Sequence, residues 1–356
     1  MRNEIIDLTQ PEEEDSDNAS SVIASHRPSS FDDFVGQDDI VSHLSIMIDA
    51  ASQSDRVLDH ILLAGPPGLG KTSLAGIIAH ERGVNMSITS GPALERPGDL
   101  ASILSNLADG DVLFIDEIHR LSRNIEEVLY PAMEDFQFDI VIGKGPTARS
   151  VRIDLPKFTL VGATTRTGSI TGPLRDRFGF FARVNYYSPE DLSEIVKRVA
   201  KKDDVEISDE AALIIAQRGR GTPRIAQRLY RRVRDYCLVK NKGQIDAKGV
   251  AQACELFGID EKGLDSSDRK YLTCVCETYS SRAVGLSTLA VTLGETTETI
   301  EDMIEPYLVI HGYVERTARG RVATRLAYQH LGLSVPSDLE TSEIMPEMTL
   351  LGEIGD

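Results

Sequence analysis

The sequence predicts an α/β P-loop nucleotide domain, followed by a small all-α domain and a C-terminal winged-helix domain. Three observations lead to this prediction. Apolar strand-like runs alternate with helical patterns over residues 27–183, which is typical of a parallel sheet. Residues 184–262 show only helical periodicity, and residues 263–330 follow the order helix, turn, helix and hairpin. The expected domain boundaries are 26–184, 185–262 and 263–333.

Acidic tails are expected at both ends. Residues 1–25 and 334–356 are polar, acidic and poor in aromatic residues, so we expect both segments to be disordered. The formal net charge is −18, and residues 1–25 and 331–356 contribute −6 each. Because two thirds of the net charge lies in the tails, the body is only mildly acidic. A bound DNA would have to be met by local basic patches.

The composition predicts a cytoplasmic protein. The sequence has no apolar run of about 18 residues that could span a membrane. Its N-terminus lacks a basic region followed by an apolar core, so we expect no secretory signal. The four cysteines lack paired zinc spacing, and we expect them to be reduced and packed in the interior. They are Cys237, Cys254, Cys274 and Cys276.

The most informative motif is a phosphate-binding loop at residues 65–72. Its sequence, GPPGLGKT, fits G-x-x-x-x-G-K-[ST], and it lies between a predicted buried strand and a predicted helix. The glycines, including Gly68 and Gly70, let backbone N–H groups turn toward phosphates. Lys71 supplies a positive charge, and the Thr72 hydroxyl can ligate Mg²⁺. A chance glycine-rich turn would lack this context, so the motif predicts binding and hydrolysis of a nucleoside triphosphate.

A second acidic motif completes the predicted ATPase signature. The apolar strand 112–115 is followed directly by Asp116 and Glu117. Asp116 can hold Mg²⁺ through water, and Glu117 can polarise the attacking water as a general base. The alternative, a surface acidic pair, is disfavoured because the phosphate loop lies in the same domain. Thr164 or Thr165, at the end of strand 158–164, could sense the γ-phosphate, although strands often end in threonine.

Two arginines are candidates for contact with phosphates. Arg177 could act as an arginine finger that one subunit supplies to its neighbour. The pattern equally allows Arg175 and Arg177 to form surface ion pairs with Asp176 and other acids. Arg224 lies in the first turn of a predicted helix, where a cation is unfavourable unless an anion lies nearby. Otherwise Arg224 is a solvated surface residue.

A predicted β-hairpin and the winged helix are the two elements that bear on the choice of partner molecules. Alternating apolar positions on either side of a turn at 143–146 predict a β-hairpin before strand 158–164. In the winged helix, the second helix carries four acids and no basic residue, so it is unsuited to phosphates. If this domain binds DNA, the wing makes the contact, mainly through backbone phosphates and without sequence preference. The alternative is a winged helix that only contacts another protein. The arginines of the wing region are Arg316, Arg319, Arg321 and Arg325.

Over about residues 26–335 the chain resembles the RuvB family, the bacterial Holliday-junction branch-migration motors of the AAA+ class. The most specific segments are 65–72, 116–121, 130–135, 162–166, 173–179 and 221–226. The resemblance implies an ATP- and Mg²⁺-dependent motor that acts in homologous recombination and DNA repair. It also implies a homo-hexamer that encircles duplex DNA at a Holliday junction, with RuvA holding the junction and RuvC cutting it later.

The resemblance also implies roles for individual residues. Ser73 stands where the family often has threonine, and its hydroxyl can do the same work. The hairpin at 138–153 resembles the one that docks on RuvA. Lys71 and Thr72 would bind phosphate and Mg²⁺, Asp116 and Glu117 would run hydrolysis, Arg177 would be the finger and Arg224 the second phosphate sensor. The other implied nucleotide contacts are Arg27, Glu134, Asp135, Phe136 and Tyr187, and the implied DNA contacts are Arg316 and Arg321.

Two other functions share part of this pattern. A clamp-loader-type AAA+ ATPase has the same ATPase site and helical domain, but it lacks the winged helix and the hairpin. A non-hydrolysing, nucleotide-dependent scaffold could use the winged helix to bind a partner. Such a scaffold has no need of a water-activating carboxylate, so Glu117 and Arg177 argue against it.

Overall fold

A computed structural model describes residues 26–54, 56–142, 149–280 and 282–340. These residues form two compact units, one up to Ala253 and one from Cys254 onward. The predicted tail at 1–25 and residues 341–356 of the second tail lie outside the described residues. A short helix, Ser337–Glu340, lies in the part of the second tail that is described. In the described ranges, no helix combines the length and the apolar character needed to cross a bilayer.

A parallel sheet of five strands forms the centre of the first unit. From one edge to the other, its strands are Met86–Ser90 (β2), Val112–Asp116 (β3), Thr159–Thr164 (β6), Ile61–Ala64 (β1) and Phe180–Arg183 (β7). Strands β1 and β6 are buried along their whole length, which explains their continuous apolar runs. The edge strands β2 and β7 are less buried, and they were not among the strands predicted. The strands of this unit are β1 (Ile61–Ala64), β2 (Met86–Ser90), β3 (Val112–Asp116), β4 (Gln137–Ile142), β5 (Arg149–Asp154), β6 (Thr159–Thr164) and β7 (Phe180–Arg183).

Strands β4 and β5 form a separate antiparallel pair, in which Gln137 lies opposite Asp154. This pairing confirms the predicted hairpin, whose turn at 143–146 lies outside the described residues. The hairpin begins directly after Phe136, a non-glycine residue with a φ of 54°. Leu155 N donates to Phe136 O at 2.7 Å, which closes the base of the hairpin.

Helices cover both faces of the sheet. Leu113, Ile115 and Leu160 are fully buried in one apolar cluster with Leu104 and Leu129 of the covering helices. Short 3₁₀ turns occupy Gly91–Ala93, Ile118–Arg120 and Thr167–Ser169. The helices are α1 (Asp38–Gln53), α2 (Lys71–Arg82), α3 (Pro97–Ser105), α4 (Arg123–Glu134) and α5 (Gly172–Arg175).

A helical region follows the sheet, as the periodicity predicted. Ser188 Oγ accepts a hydrogen bond from Asp191 N at 3.0 Å, and Ser208 Oγ accepts one from Ala211 N at 3.1 Å. These two serines therefore cap the N-termini of their helices. The helices are α6 (Pro189–Lys202), α7 (Asp209–Gln217), α8 (Pro223–Lys240) and α9 (Ala247–Leu256).

The second unit has the predicted order of helices and hairpin. Its apolar core includes Tyr271, Leu289, Ile300 and Leu308. Val284 exchanges backbone hydrogen bonds with Arg321, which adds an isolated β-bridge to the wing. The elements are α10 (Ser266–Thr273), a π turn (Cys274–Thr278), α11 (Leu286–Leu293), α12 (Thr297–Thr299), a second π turn (Ile300–Ile304), α13 (Glu305–Ile310), β8 (Val314–Thr317), β9 (Gly320–Ala323), α14 (Arg325–Leu331) and α15 (Ser337–Glu340).

Candidate functional site

Three predicted motifs meet at one edge of the parallel sheet. Strands β1, β6 and β3 are neighbours and run in the same direction, so their carboxyl ends lie side by side. The phosphate loop follows β1, Asp116 ends β3 and Thr164 ends β6. Gly65 N donates to Thr164 O at 3.1 Å, which ties the loop to the end of β6. The sheet therefore brings together the groups that the sequence assigned to a nucleotide.

Lys71 holds its charge inside the phosphate loop. It is the first residue of α2 and is only 7% exposed. Its Nζ donates to Gly65 O and to Pro66 O, both at 2.8 Å. Burial lowers the pKa of the Lys71 ammonium, and the carboxylates of Asp116 and Glu117 act in the opposite direction. The ammonium group is thus preorganised beside two carboxylates at the sheet edge.

The phosphate loop has a backbone that glycine alone adopts easily. Gly68 has a φ of 78° and Gly70 a φ of 96°. A Cβ added at Gly68 would lie 2.9 Å from the Cβ of Arg224 and 2.9 Å from the Cγ2 of Thr222. Arg224 N also lies 3.4 Å from Gly68 O, in hydrogen-bond contact. Helix α8 therefore begins against the loop and brings Arg224, which is exposed, to the phosphate site.

The two acidic residues at the end of β3 are in different environments. Asp116 Oδ1 accepts a hydrogen bond from Glu117 N at 2.9 Å. Glu117 has a φ of 47°, which is uncommon for a non-glycine residue and frequent at functional sites. Its carboxylate lies 3.1 Å from Arg120 Nη1, and both side chains are about half exposed. Such a surface pair is weak, so the Glu117 carboxylate can exchange partners.

The structure distinguishes the two threonines at the end of β6. Thr164 is fully buried, its Oγ1 lies 3.1 Å from His119 Nδ1, and it accepts a hydrogen bond from Arg166 N at 3.0 Å. Thr165 is exposed. Its hydroxyl is therefore the one accessible at this edge, a distinction that the sequence did not allow.

A cavity of about 690 Å³ lies beside the phosphate loop. Its lining includes Phe34, Val35 and Ile195, and it adjoins the loop and α2 through Gly70 and Ser73. A cavity of this size next to a phosphate loop, lined by both apolar and polar side chains, fits a nucleoside.

Thr72 follows Lys71 in the first turn of α2 and is partly exposed. Tyr187 lines the cavity, is 6% exposed and donates from its hydroxyl to Leu69 O at 3.2 Å. Burial raises the pKa of the Tyr187 phenol. The ring thus forms a fixed wall that is hydrogen-bonded to the loop.

Arg27 lies in a segment that is anchored to the helical region. Its side chain is exposed, and its carbonyl oxygen accepts a hydrogen bond from Lys202 Nζ at 3.3 Å. The neighbouring His26 lines the cavity and has its Nε2 2.7 Å from Asp203 Oδ1. Asp203 also pairs with Arg234 at 2.8 Å. No motif in the sequence indicated Asp203, because its partners His26 and Arg234 come from two other, widely separated segments.

Arg177 and the Glu134–Phe136 segment form a second cluster. Arg177 Nη2 lies 3.1 Å from Glu134 Oε1, so within the chain Arg177 forms an ion pair with an acid other than Asp176, as the alternative interpretation also allowed. Asp135 is exposed, and Phe136 is half-buried with its ring 5.8 Å from that of Phe158. Within the described ranges, none of the polar contacts of Arg177 is to the phosphate loop of the same chain.

The two wing arginines share one buried carboxylate. Arg316 Nε and Arg321 Nε each lie 2.8 Å from an oxygen of Glu305, which is fully buried. Tyr271 donates a further hydrogen bond to Glu305 at 2.8 Å, and Arg321 Nη2 also contacts Glu301 at 3.2 Å. The side chain of Arg316 is 45% exposed and that of Arg321 is 14% exposed. Glu301 and Glu305 of the second helix therefore bind the arginines of the wing. The pattern of acids in the sequence did not indicate this role.

Comparisons with protein families cover almost all described residues. The P-loop domain of the Holliday junction DNA helicase RuvB matches residues 26–184. The RuvB AAA lid domain matches residues 187–260, and the RuvB C-terminal winged helix domain matches residues 261–332. The order of the three matches is the order of the sheet, the helical region and the winged helix.

Solved structures support the same relationship. The structure described as the Thermotoga maritima RuvB Holliday junction branch migration motor is 49% identical and has a TM-score of 0.80. The match covers 87% of this chain and 99% of that one. A single-substitution variant of the same protein is 49% identical, with a TM-score of 0.81 and coverage of 88% and 100%. The chain belongs to the RuvB family of Holliday junction DNA helicases.

Proposed function

We propose that this chain is an ATP-driven motor for branch migration of Holliday junctions in homologous recombination and DNA repair. We further propose that it acts in the cytoplasm as a homo-hexamer around duplex DNA, together with RuvA and before cleavage by RuvC. The observation on which the proposal depends is the meeting of Lys71, Asp116 and Glu117 at one sheet edge, in a chain that also carries a winged helix. Family membership supports the choice of DNA substrate.

The residues of the phosphate loop bind and orient the triphosphate. Lys71 contributes a positive charge to the β- and γ-phosphates, and the backbone of Gly68 and Gly70 donates N–H groups to them. When bound, Mg²⁺ would supply further positive charge there, and Thr72 and Asp116 are the residues that would hold it. Hydrolysis then requires a base for the attacking water.

Glu117 is the proposed general base. Its left-handed backbone follows directly after Asp116, and among the residues that the structure describes its carboxylate is held only by the exposed pair with Arg120. Exchange of that weak pair for a water molecule lets the carboxylate accept the water proton. The exposed Thr165 hydroxyl is the proposed sensor of the γ-phosphate, since the Thr164 hydroxyl is already bonded to His119 and Arg166.

The nucleobase and the sugar of ATP are proposed to occupy the cavity beside the phosphate loop. Tyr187 forms one wall, Arg27 lies in the anchored segment at the rim, and Ser73 adjoins the loop. Arg224 enters from helix α8 and can sense whether a phosphate is present. The cluster of Arg177, Glu134, Asp135 and Phe136 is proposed to serve the site of a neighbouring subunit, because its contacts are away from the phosphate loop of its own chain.

ATP turnover with DNA present separates this function from a non-hydrolysing scaffold. We expect Lys71→Ala to weaken ATP binding and Glu117→Gln to retain binding while turnover falls by about 10² or more. Glu127→Gln is the matched control, because Glu127 also forms an exposed pair with an arginine of its own helix. Turnover of the Glu117 variant at the level of this control would remove Glu117 from the role of base. Binding without any turnover in the unmodified protein would favour the scaffold.

A further inference from the structure

Arg177 lies on a platform formed by α4 and by the segment that contains α5. Its guanidinium carbon is 4.4 Å from the centre of the Tyr130 ring, within the range of a cation–π contact. Arg177 Nη1 donates to Pro173 O at 2.6 Å, and Nη2 pairs with Glu134 at 3.1 Å. The guanidinium therefore packs on the face of the Tyr130 ring, and two polar contacts set the orientation of its plane.

The Tyr130 ring is itself braced. Its hydroxyl donates to Glu126 Oε2 at 2.8 Å, and Thr171 Oγ1 donates to the same oxygen at 2.9 Å. Glu126 is 4% exposed and lies one helical turn before Tyr130 on α4, whereas Thr171 directly precedes α5. A buried carboxylate thus ties the ring to the segment that carries Arg177.

The platform orients Arg177 without using up its hydrogen-bonding capacity. An arginine has five N–H donors, and the described residues accept from two of them. The Nε group is buried and has no partner among the described residues. The Glu134 side chain is 55% exposed, so its pair with Arg177 is weak and can be exchanged. The guanidinium is therefore preset in direction and still able to bind an anion.

We propose that Tyr130 is a positioning residue that presents Arg177 to the nucleotide site of a neighbouring subunit, with Glu126 holding the ring in place. The inference rests on the proposed function, in which Arg177 acts across a subunit interface. A long arginine side chain that is ordered beforehand loses less freedom when it meets the developing charge. Because the effect falls on the neighbour's reaction, ATP binding by the same subunit is unaffected.

Four variants of the full chain test this inference in steady-state ATP turnover with junction DNA. Arg177→Ala is expected to lower kcat by about 10³ or more. Tyr130→Ala is expected to lower kcat by about tenfold with unchanged KM for ATP, because only the orientation of Arg177 is lost. Tyr130→Phe keeps the ring and removes only its hydroxyl, which contacts Glu126, so its kcat is expected to fall by about threefold, clearly less than that of Tyr130→Ala. Lys71→Ala serves as the mixing partner, since its own site is impaired and its platform is intact.

Mixed assemblies distinguish positioning from a general structural role. A Tyr130→Ala subunit has a sound nucleotide site, and a Lys71→Ala neighbour can present a correctly held Arg177 to it. Turnover of the mixture is therefore expected to exceed the mean of the two variants measured alone, as it should for Arg177→Ala mixed with Lys71→Ala. Thermal unfolding of each variant checks that the unit remains folded.

Each result has a separate meaning. Full turnover of Tyr130→Ala, or a loss in Tyr130→Phe as large as in Tyr130→Ala, overturns the role assigned to the ring. A third result is that mixing with Lys71→Ala restores turnover to Arg177→Ala and fails to restore it to Tyr130→Ala. That result shows that Tyr130→Ala has a general structural effect, and it also overturns the positioning role of the ring. Full turnover of Arg177→Ala instead overturns the proposed function of that arginine, on which the inference rests.

Discussion

Replacement of Glu305 by glutamine is the most demanding test of the winged-helix structure. The carboxylate is fully buried and accepts hydrogen bonds from Arg316, Arg321 and Tyr271. Glu305→Gln keeps the size of the side chain and removes its negative charge. Two guanidinium groups then face an amide in place of a carboxylate, and one of them, Arg321, is only 14% exposed.

The size of the effect follows from these contacts. Removal of one partner from a buried ion pair costs about 3–5 kcal/mol of stability, because the remaining charge is left uncompensated. Arg316 is half exposed and can turn toward solvent, so we expect a value near the lower end, about 3 kcal/mol. For a unit of this size, 1 kcal/mol corresponds to a change in Tm of about 4–8 °C. The melting temperature of the winged helix should therefore fall by about 12 °C or more.

Differential scanning calorimetry of the full chain measures this change. Hydrogen exchange of the amides in β8 and β9 locates it, since their protection should be lost first. Glu298→Gln is the matched control, because Glu298 lies on the same helical stretch and is exposed. A Glu305→Gln protein that melts within about 2 °C of this control would refute the claim that the buried carboxylate holds the wing.

Two other predictions concern the phosphate loop and the wing. Gly68→Ala should lower ATP affinity by about tenfold or more, because φ at this position is 78° and the new Cβ would lie 2.9 Å from the Cβ of Arg224. Isothermal titration calorimetry with a non-hydrolysable ATP analogue measures this affinity. An unchanged affinity would contradict the described conformation of the loop. Arg316→Ala should lower junction affinity and reduce the slope of log K against log salt by about one. This single variant leaves Arg321 on Glu305, so the fold is retained; a salt slope equal to that of the unmodified protein would place the DNA contact elsewhere.

The sequence was informative where the chemistry is local. The phosphate loop and Asp116–Glu117 each occupy one continuous stretch after an apolar strand, and the sheet places both at the same edge. The winged helix was likewise predicted from the order of its elements. In contrast, the edge strand β2 alternates apolar and polar residues, and the apolar run of the edge strand β7 is only three residues long. Both strands are less completely buried than the central strands.

Contacts between distant residues could not be predicted. The Arg321–Glu305 pair joins residues 16 positions apart, and the anchoring of His26 by Asp203 spans 177 positions. The acids of the second helix of the winged helix were interpreted only as groups unsuited to phosphates. Two of them pair with arginines of the wing, and this pairing depends on how the wing folds back onto this helix. The choice between Thr164 and Thr165 likewise required the position of His119.

The central claim is that ATP hydrolysis at the sheet edge moves a DNA junction. The most direct measurement is ATP-driven dissociation of a synthetic four-way junction, with and without RuvA, by the unmodified protein and by Lys71→Ala. The account predicts strand-exchanged products that require both ATP and Lys71 and that increase with RuvA. ATP turnover without junction movement under either condition would contradict it.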